Sequence, residues 1–574
     1  MKNYFYILAI SLIFFSCSFT TKDVDMILKN GNIYSLDKDN NVYEAIAIKN
    51  GKIVDCGTNE EILKKYKSNN IIDLEGKYAY PGFIDSHGHL LGYGISLSII
   101  DCSEAKSPEE IAKLVSDKAK KIKPGEWIVG RGWDQNKWKA KEFPTHHILD
   151  KAAPNNPVFL IRTDGHAIWV NINAMIEAGI TPETKEPEGG KIIKLKDGEP
   201  SGIFIDAAMN LIERVRKNFT PEQKEEAILL ACKKLTSMGI TEIHDMGVDE
   251  ELIQIYKKLI DENKLPIRIY AFIDGVGKTW DIYKNGSKQK YGNDFLTIAG
   301  IKLYIDGALG SRGAALIEPY NDDKENRGLT LMSEADLQKI TEEALKNDLQ
   351  VAVHAIGDRG NNIVLNAYEK ALKNVNPKDH RLRIEHAQIL HQDDIKRFSL
   401  LKIIPSMQPI HAISDMYWAE SRLGSKRLKY AYAWKTLINS GSIIPGGSDF
   451  PVESPDIISN YYAAVTRKDK QGKPESWYKD KQLFSYDPND IDTSNYTNGW
   501  YSKEKMSREE ALKSFTIWGS YAAFQEKFKG TIEKNKYADI VVLSDNIRKV
   551  PEEKILDIKI IKTFVNGKIT FEKR

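Results

Sequence analysis

Residues 81–90 read PGFIDSHGHL. A short apolar run closes here on two histidines one residue apart. Alternate side chains of a strand share a face, so His87 and His89 can address one ion. Such a pair alone is weak evidence, because strands carry it by chance. Four further β-like runs end in the same manner: AGIKLYIDGALG carries Lys302, VAVHAIGD His354, LRIEHAQ His386 and PGGSDFPVE Asp449. Imidazole and carboxylate are the ligands of a hydrolytic zinc ion, and a lysine can be converted into one. Five strand ends in this order point to metal-dependent hydrolysis.

Between those ends, short apolar strands alternate with amphipathic helices such as EADLQKITEEALKND and NNIVLNAYEKALKNV, the pattern of a parallel α/β fold. Eight strand candidates are present: GFIDSH, GITEIHD, IRIYAFID, AGIKLYID, LQVAVHA, RLRIEHA, KIIPSMQ and SIIPGGSD. Eight is the count of a (β/α)8 TIM barrel, whose active sites lie at the C-terminal strand ends. Closure sets the eighth strand beside the first, which brings Asp449 toward an ion held by His87 and His89. The expected barrel spans residues 81–529. Asn-Gly turns between apolar runs in residues 24–80 and again in 530–574 are hairpin chemistry, so both ends are expected to build one small β-sandwich. The first two barrel strands are too far apart for one crossover helix, and an inserted subdomain is expected at about 110–225, placed to cover the barrel mouth. A polar excursion near Asp469–Ser502 reads as a surface loop.

With 574 residues, the chain can bury a large core, and 41% hydrophobic with 28% charged residues is ordinary for a globular enzyme. Its 82 basic and 80 acidic side chains nearly cancel, and no basic stripe suggests nucleic acid. Lys2, the apolar run Tyr4 to Phe15 and then Ser16-Cys17 read as an export signal, residues 1–17, similar to that of a bacterial lipoprotein with Cys17 acylated. Phe14 and Phe15 depart from the usual cleavage box, and the alternative is an uncleaved anchor, for which the run is short. The location expected is the cell envelope, periplasm or outer membrane, with the lipid as the sole membrane contact. Cys56, Cys102 and Cys232 show no disulfide or metal spacing and read as small buried hydrophobes.

The pieces PGFIDSHGH, GWDQNKW, DGHAIWVN, GITEIHDMG, KLYIDGALGSRGA, HAIGDRG, IEHAQ, SMQP with His411, and GGSDFPVE resemble the amidohydrolase superfamily, in its YtcJ-like branch with N-substituted formamide deformylase. The resemblance implies a divalent metal, zinc by type, as one ion or two. It implies His87, His89 and Asp449 on the first, His354 and His386 on the second, and a carbamate on Lys302 between them. Asp449 would move the proton between water and the leaving nitrogen. The implied substrate is a small amide. Cyclic amide or ester hydrolysis, deamination, and a binding lipoprotein on an old hydrolase fold stay open, as does the assembly, a homodimer included.

Several residues carry two readings. His244 and His166 contact substrate or make structural hydrogen bonds. Arg312 clamps a carboxylate or fixes its loop. Gln408 and His411 line the pocket. Trp133 and Trp169 form an apolar wall or simply pack. Asp306 and Asp358 are carboxylates that support ligands from behind. His146, His147, His380 and His391 read as non-functional. The lipid reading is checked by metabolic labelling with a fatty-acid analogue in a bacterial host: the wild type is expected to be marked and Cys17→Ser not, and equal labelling refutes it.

Overall fold

The computed structural model describes residues 21–163, 165–216, 219–472 and 495–573. The export signal at 1–17 and most of the Asp469–Ser502 excursion lie outside the described residues. No helix among the described residues is long and apolar enough to cross a membrane.

Seven parallel strands follow one another across a single sheet: β1 (Phe83–Gly88), β2 (Ile240–Val248), β3 (Arg268–Asp274), β4 (Leu296–Tyr304), β5 (Gln350–Ala355), β6 (Arg383–His386) and β7 (Ile404–Ser406). Buried on both faces, such strands read as nearly continuous apolar runs. Eight of the nine residues of β4, LTIAGIKLY, are buried. The short strand Gln289–Tyr291 folds back antiparallel on β4. Helices Glu334–Lys346 and Asp358–Val375 fall where the periodicity places them. Ser333 caps the first, and Asn376 ends the second in the left-handed conformation.

The eighth stave differs from expectation. SIIPGGSD forms no regular strand; residues 445–450 close the barrel through isolated parallel bridges, Gly446 to Met407 and Phe450 to Gly88. Gly447 N–H donates to Met407 O (3.1 Å), Ser86 N–H to Gly446 O (2.9 Å) and Asp449 N–H to His87 O (2.7 Å). Pro445 has no N–H to give the ladder. Further along the segment the buried Asp85 side chain satisfies Ser448, accepting from its amide (3.1 Å) and its hydroxyl (2.6 Å). Glycine is required at this seam: a Cβ on Gly447 would stand 2.6 Å from His87 N and 2.8 Å from His87 Cβ.

Both ends of the chain build the sandwich. Its six-stranded sheet runs Lys568–Glu572, Ile560–Val565, Ile540–Leu543, Tyr78–Pro81, Asn32–Tyr34, Val42–Tyr43; the facing four-stranded sheet holds Lys52–Gly57, Ala45–Lys49, Met26–Lys29 and Ile71–Asp73. Leu28, Ile33, Ile46, Ile48, Ile540 and Phe564 fill one core between them.

The insertion is a second compact unit, residues 89–234 with 251–265, and is larger than the 110–225 expected. Helix Glu250–Asp261 groups with it, and ion pairs Lys224–Glu251 and Lys258–Glu225, both 2.5 Å, join that helix to Pro221–Thr236. A six-stranded sheet of its own carries its core of Trp133, Trp138, Trp169 and Leu160. Cys56, Cys102 and Cys232 form no disulfide, and burial pushes the Cys56 and Cys102 thiols up to about 12.

Gly447→Ala forces a methyl against the β1 backbone. It is expected to cost about 1–3 kcal/mol, the usual range for overpacking, read as a lower urea midpoint with the wild-type slope. An unchanged midpoint would show that the seam has slack.

Candidate metal centre

The ends of β1, β4, β5 and β6 and the 445–450 segment meet at one place. His87 is wholly buried; its Nε2 lies 3.4 Å from Lys302 Nζ and 3.4 Å from Asp449 Oδ1, and its Nδ1 lies 2.5 Å from Glu385 Oε2. His89 follows across Gly88, and the ligand atoms of His87, His89 and Asp449 fall within 4.8 Å of one another. The other oxygen of Asp449 faces His411 Nε2 at 3.7 Å. His386, His411 and Asp449 make a second such group. Asp449 therefore stands between two half-sites.

The His386 ring lies 4.8 Å from that of His87 and 4.6 Å from that of His354, and stacks nearly parallel to His411 at 5.9 Å. His354 is beside the second half-site, with its Nε2 turned 3.6 Å from Asp306 Oδ1. The buried Nε2 atoms of His354 and His411 have no hydrogen-bond partner. His386 (φ 73°) and Asp449 (φ 60°) both adopt the left-handed conformation, costly for such residues and concentrated at functional sites. The turn at His386 breaks strand alternation, so Glu385 and His386, neighbours in sequence, both face the cluster.

Burial sets the electrostatics. It pushes His87 down to about 4 and His354 to about 3, reinforced by the Lys302 ammonium, and holds His386 well below the usual imidazole range. These rings are neutral and carry lone pairs, the form that binds metal. Burial also lowers Lys302 to about 8. It raises Asp85 to about 7 against its Ser448 bonds, and Asp306 to about 7 against three backbone amides, those of Ala315, Ile356 and Gly357. For Glu385 burial acts upward, but Arg383 and His87 outweigh it and hold the carboxyl well below the carboxylate range. Neutral imidazoles, two unpartnered ring nitrogens and a carboxylate between them fit one or two divalent ions.

Other expected site residues lie elsewhere or act differently. Gln408 is buried, and its Oε1 accepts from His386 Nδ1 at 2.8 Å and so orients that ring. His244 is wholly buried, with its Nδ1 on Arg383 Nη1 at 2.8 Å. Arg312 is spent on both oxygens of Asp322 (3.1 and 3.0 Å), fixing its loop. Trp133 and Trp169 are fully buried against each other in the insertion core, with both indole N–H groups on backbone carbonyls, so neither offers a wall. His166 is exposed and lies 2.8 Å from Asp206 Oδ1. Asp358 accepts the Ile317 amide. His146 and His147 gather with Asp150, His146 Nδ1 being 2.6 Å from its Oδ2.

Sequence reasoning missed Glu385, Arg383, Asp85 and Tyr304. Tyr304 ends β4 with its ring 5.0 Å from Lys302 Nζ and 5.7 Å from His354; burial, with Asp274, pushes its phenol up to about 12, so it stays a donor at neutral pH. Its position two residues past Lys302, on the same strand face, was the available signal.

A sequence profile of the amidohydrolase family matches residues 70–571. The chain belongs to the amidohydrolase family. This amidohydrolase is 32% identical over 559 residues to YtcJ of Bacillus subtilis (strain 168), covering 95% of this chain and 99% of that protein. It is 25% identical over 569 residues to the N-substituted formamide deformylase of Arthrobacter pascens, covering 96% and 98%. In fold it is similar to an uncharacterized metal-dependent hydrolase from Pyrococcus horikoshii OT3, with a TM-score of 0.74 and 29% identity over 92% of this chain and 99% of that one.

The depressed His354 generates a pH prediction for the metal-free amidohydrolase. The unfolded chain takes up that proton first, near its ordinary value of about 6.5. Stability present above that pH is therefore lost as pH falls toward 3, at up to roughly 1.4 kcal/mol per pH unit. His354→Asn lacks this proton. The stability difference between wild type and variant, from urea midpoints in chelator, is expected to shrink between about pH 7 and about pH 4.5; a constant difference refutes it.

Proposed function

We propose that this chain is an exported amidohydrolase, held in the cell envelope by a lipid on Cys17, that cleaves the C–N bond of a small amide to a carboxylic acid and an amine. The observation that carries the reading is Asp449 between two histidine half-sites, one oxygen toward His87 and the other toward His411. A divalent ion bound there, zinc by donor type, supplies Lewis acidity toward a carbonyl and lowers the pKa of water from about 15.7 to about 7.

The chain's own residues do the rest. Asp449 takes the proton of the attacking water on the oxygen facing His411 and passes it to the leaving nitrogen, which otherwise departs as a poor amide anion. His411, with an unpartnered Nε2, steadies the substrate or the carboxylate while the proton is held. Lys302 is the site of the carbamate: near pH 8 about half its amine is neutral, and its nitrogen bonds the carbon of CO2 as a proton leaves. A carbamate there would carry two anionic oxygens where lysine has none, and so could serve as a ligand toward either half-site. Tyr304, protonated at the barrel mouth, donates to the substrate carbonyl. The amide reading draws support from the full-length likeness to a formamide deformylase.

Metal analysis with an amide library tests the whole reading. The loaded wild type is expected to release amine from N-substituted amides and to show, by native mass spectrometry, one CO2 that Lys302→Ala lacks. Ammonia from amino-heterocycles instead would favour deamination. Asp449→Asn is expected to keep its thermal transition and most of its metal while kcat falls by roughly 10²–10⁴ with little change in KM. Near-wild-type turnover by that variant would overturn the role of Asp449.

A further inference from the structure

The barrel interior contains a column of buried charge that hydrolysis itself does not call on. At its base Lys529 pairs with Glu242. Glu242 Oε1 lies 3.4 Å from His244 Nε2. His244 Nδ1 accepts from Arg383 Nη1 at 2.8 Å. Arg383 Nε and Nη2 donate to the two oxygens of Glu385 at 2.7 and 3.1 Å. Glu385 Oε2 meets His87 Nδ1 at 2.5 Å. From Glu242 to His87 no residue of the column is more than 1% exposed.

Donor counting fixes the protons along this column. A guanidinium has only N–H groups to offer. His244 Nδ1 must therefore present its lone pair and keep its proton on Nε2, toward Glu242. A carboxylate only accepts, so His87 must give Glu385 its Nδ1 proton. Its remaining lone pair is then on Nε2, the atom that faces Lys302 and Asp449. One arginine and one glutamate thus impose opposite tautomers on two histidines of adjacent strands, β1 and β2. Arg383 is itself held rigidly: Nη2 also donates to Ser86 O (2.6 Å) and Ser406 Oγ (2.9 Å), which ties β6 to β1 and to β7.

We propose that Glu385, Arg383 and His244 form a positioning relay for His87, in which His244 orients the Arg383 fork, Arg383 orients Glu385, and Glu385 aims His87 Nε2 at the metal. The inference rests on the metal reading above. None of the three touches the substrate. Partners behind a metal-bound histidine set its tautomer and orientation, and losing one typically weakens metal binding about 10–100-fold. His244 is three contacts from the ligand, with Arg383 and Glu385 between, so its effect separates a relay from local packing.

Two substitutions at His244 make the test. Asn offers an oxygen near the place of Nδ1; Phe keeps the ring and offers no acceptor. Glu385→Gln removes the carboxylate at the next link but one. Each folded, metal-free protein is titrated with zinc against a chelator, and its cobalt form is read by visible absorption, which reports ligand geometry rather than fold. Glu385→Gln and His244→Phe are expected to bind zinc about 10–100-fold more weakly with a shifted cobalt band. His244→Asn is expected to bind as the wild type does. The relay is overturned if His244→Phe and Glu385→Gln bind zinc within twofold of the wild type with its cobalt spectrum, whatever their thermal stability. It is also overturned if His244→Asn and His244→Phe weaken binding equally. A wild type that takes up no metal would overturn the metal reading itself, a distinct result. Should His244→Phe fail to fold, His244→Leu, which also offers no acceptor to Arg383, takes its place in both comparisons.

Discussion

Closure of the barrel between residues 445–450 and β1 governs the position of everything at the metal centre. A parallel sheet with two free edges leaves backbone donors and acceptors unpaired, and burying them unpaired is costly. Here the last stave is too irregular to pair fully, since proline and two glycines occupy it. The seam is completed by specific substitutes: the Asp85 carboxylate on Ser448, and the Asp449 amide on His87 O. The second of these joins two candidate ligand residues through their backbones. Asp449 cannot move along the seam without dragging the strand that carries His87. The left-handed backbone at Asp449 fits the same account, because a residue held by both neighbours can be kept in a conformation it would not choose.

Charge inside this barrel is arranged by depth. Toward the floor, Arg268 is paired with Asp539 at 2.7 Å and Lys529 with Glu242, joining barrel strands to the segment that leads into the terminal sheet. Above them Arg383 and Glu385 are locked together. At the strand ends burial keeps His87, His354 and His386 neutral. An isolated ion at such depth would cost several kcal/mol, and each is instead answered by an opposite charge one layer away. What emerges at the mouth is a set of nitrogen lone pairs around the Asp449 carboxylate, with the Lys302 amine 3.4 Å from His87 Nε2.

The parts of this design that repeat were legible in the sequence. Apolar runs ending on His87, Lys302, His354, His386 and Asp449 announced the barrel and its centre, because periodicity and strand-end position are local properties. Asn-Gly turns announced the terminal sandwich in the same way. What was not legible depends on partners. Glu385 precedes His386, and alternation assigns it to the opposite face; only the positive φ at His386 brings both to one cluster. Arg312 met Asp322 and Gln408 met His386 through loop geometry that no period encodes. Trp133 was open to two readings because a tryptophan packs equally well in a core or a wall, and the core of the insertion claimed it. The eighth stave was found in sequence, but its irregular form follows from Pro445, Gly446 and Gly447 acting together against β1.

The sandwich made from both ends has a consequence for how the chain is born. Strand Tyr78–Pro81, which runs into β1, has Ile540–Leu543 as its antiparallel neighbour, with Val541 opposite Tyr80. A ribosome adding about 5–20 residues per second emits these two strands on the order of half a minute apart. Throughout that interval the first sheet has an open edge and an unfilled core, and Ile33, Ala79 and Tyr80 wait for partners not yet made. Long-range pairing of this kind is slow to form and exposes sticky edges while it waits. The nascent protein is thus open to wrong pairings until its final strands arrive, and a ribosome that stalls short of Ile540 releases a product whose first sheet can never be completed.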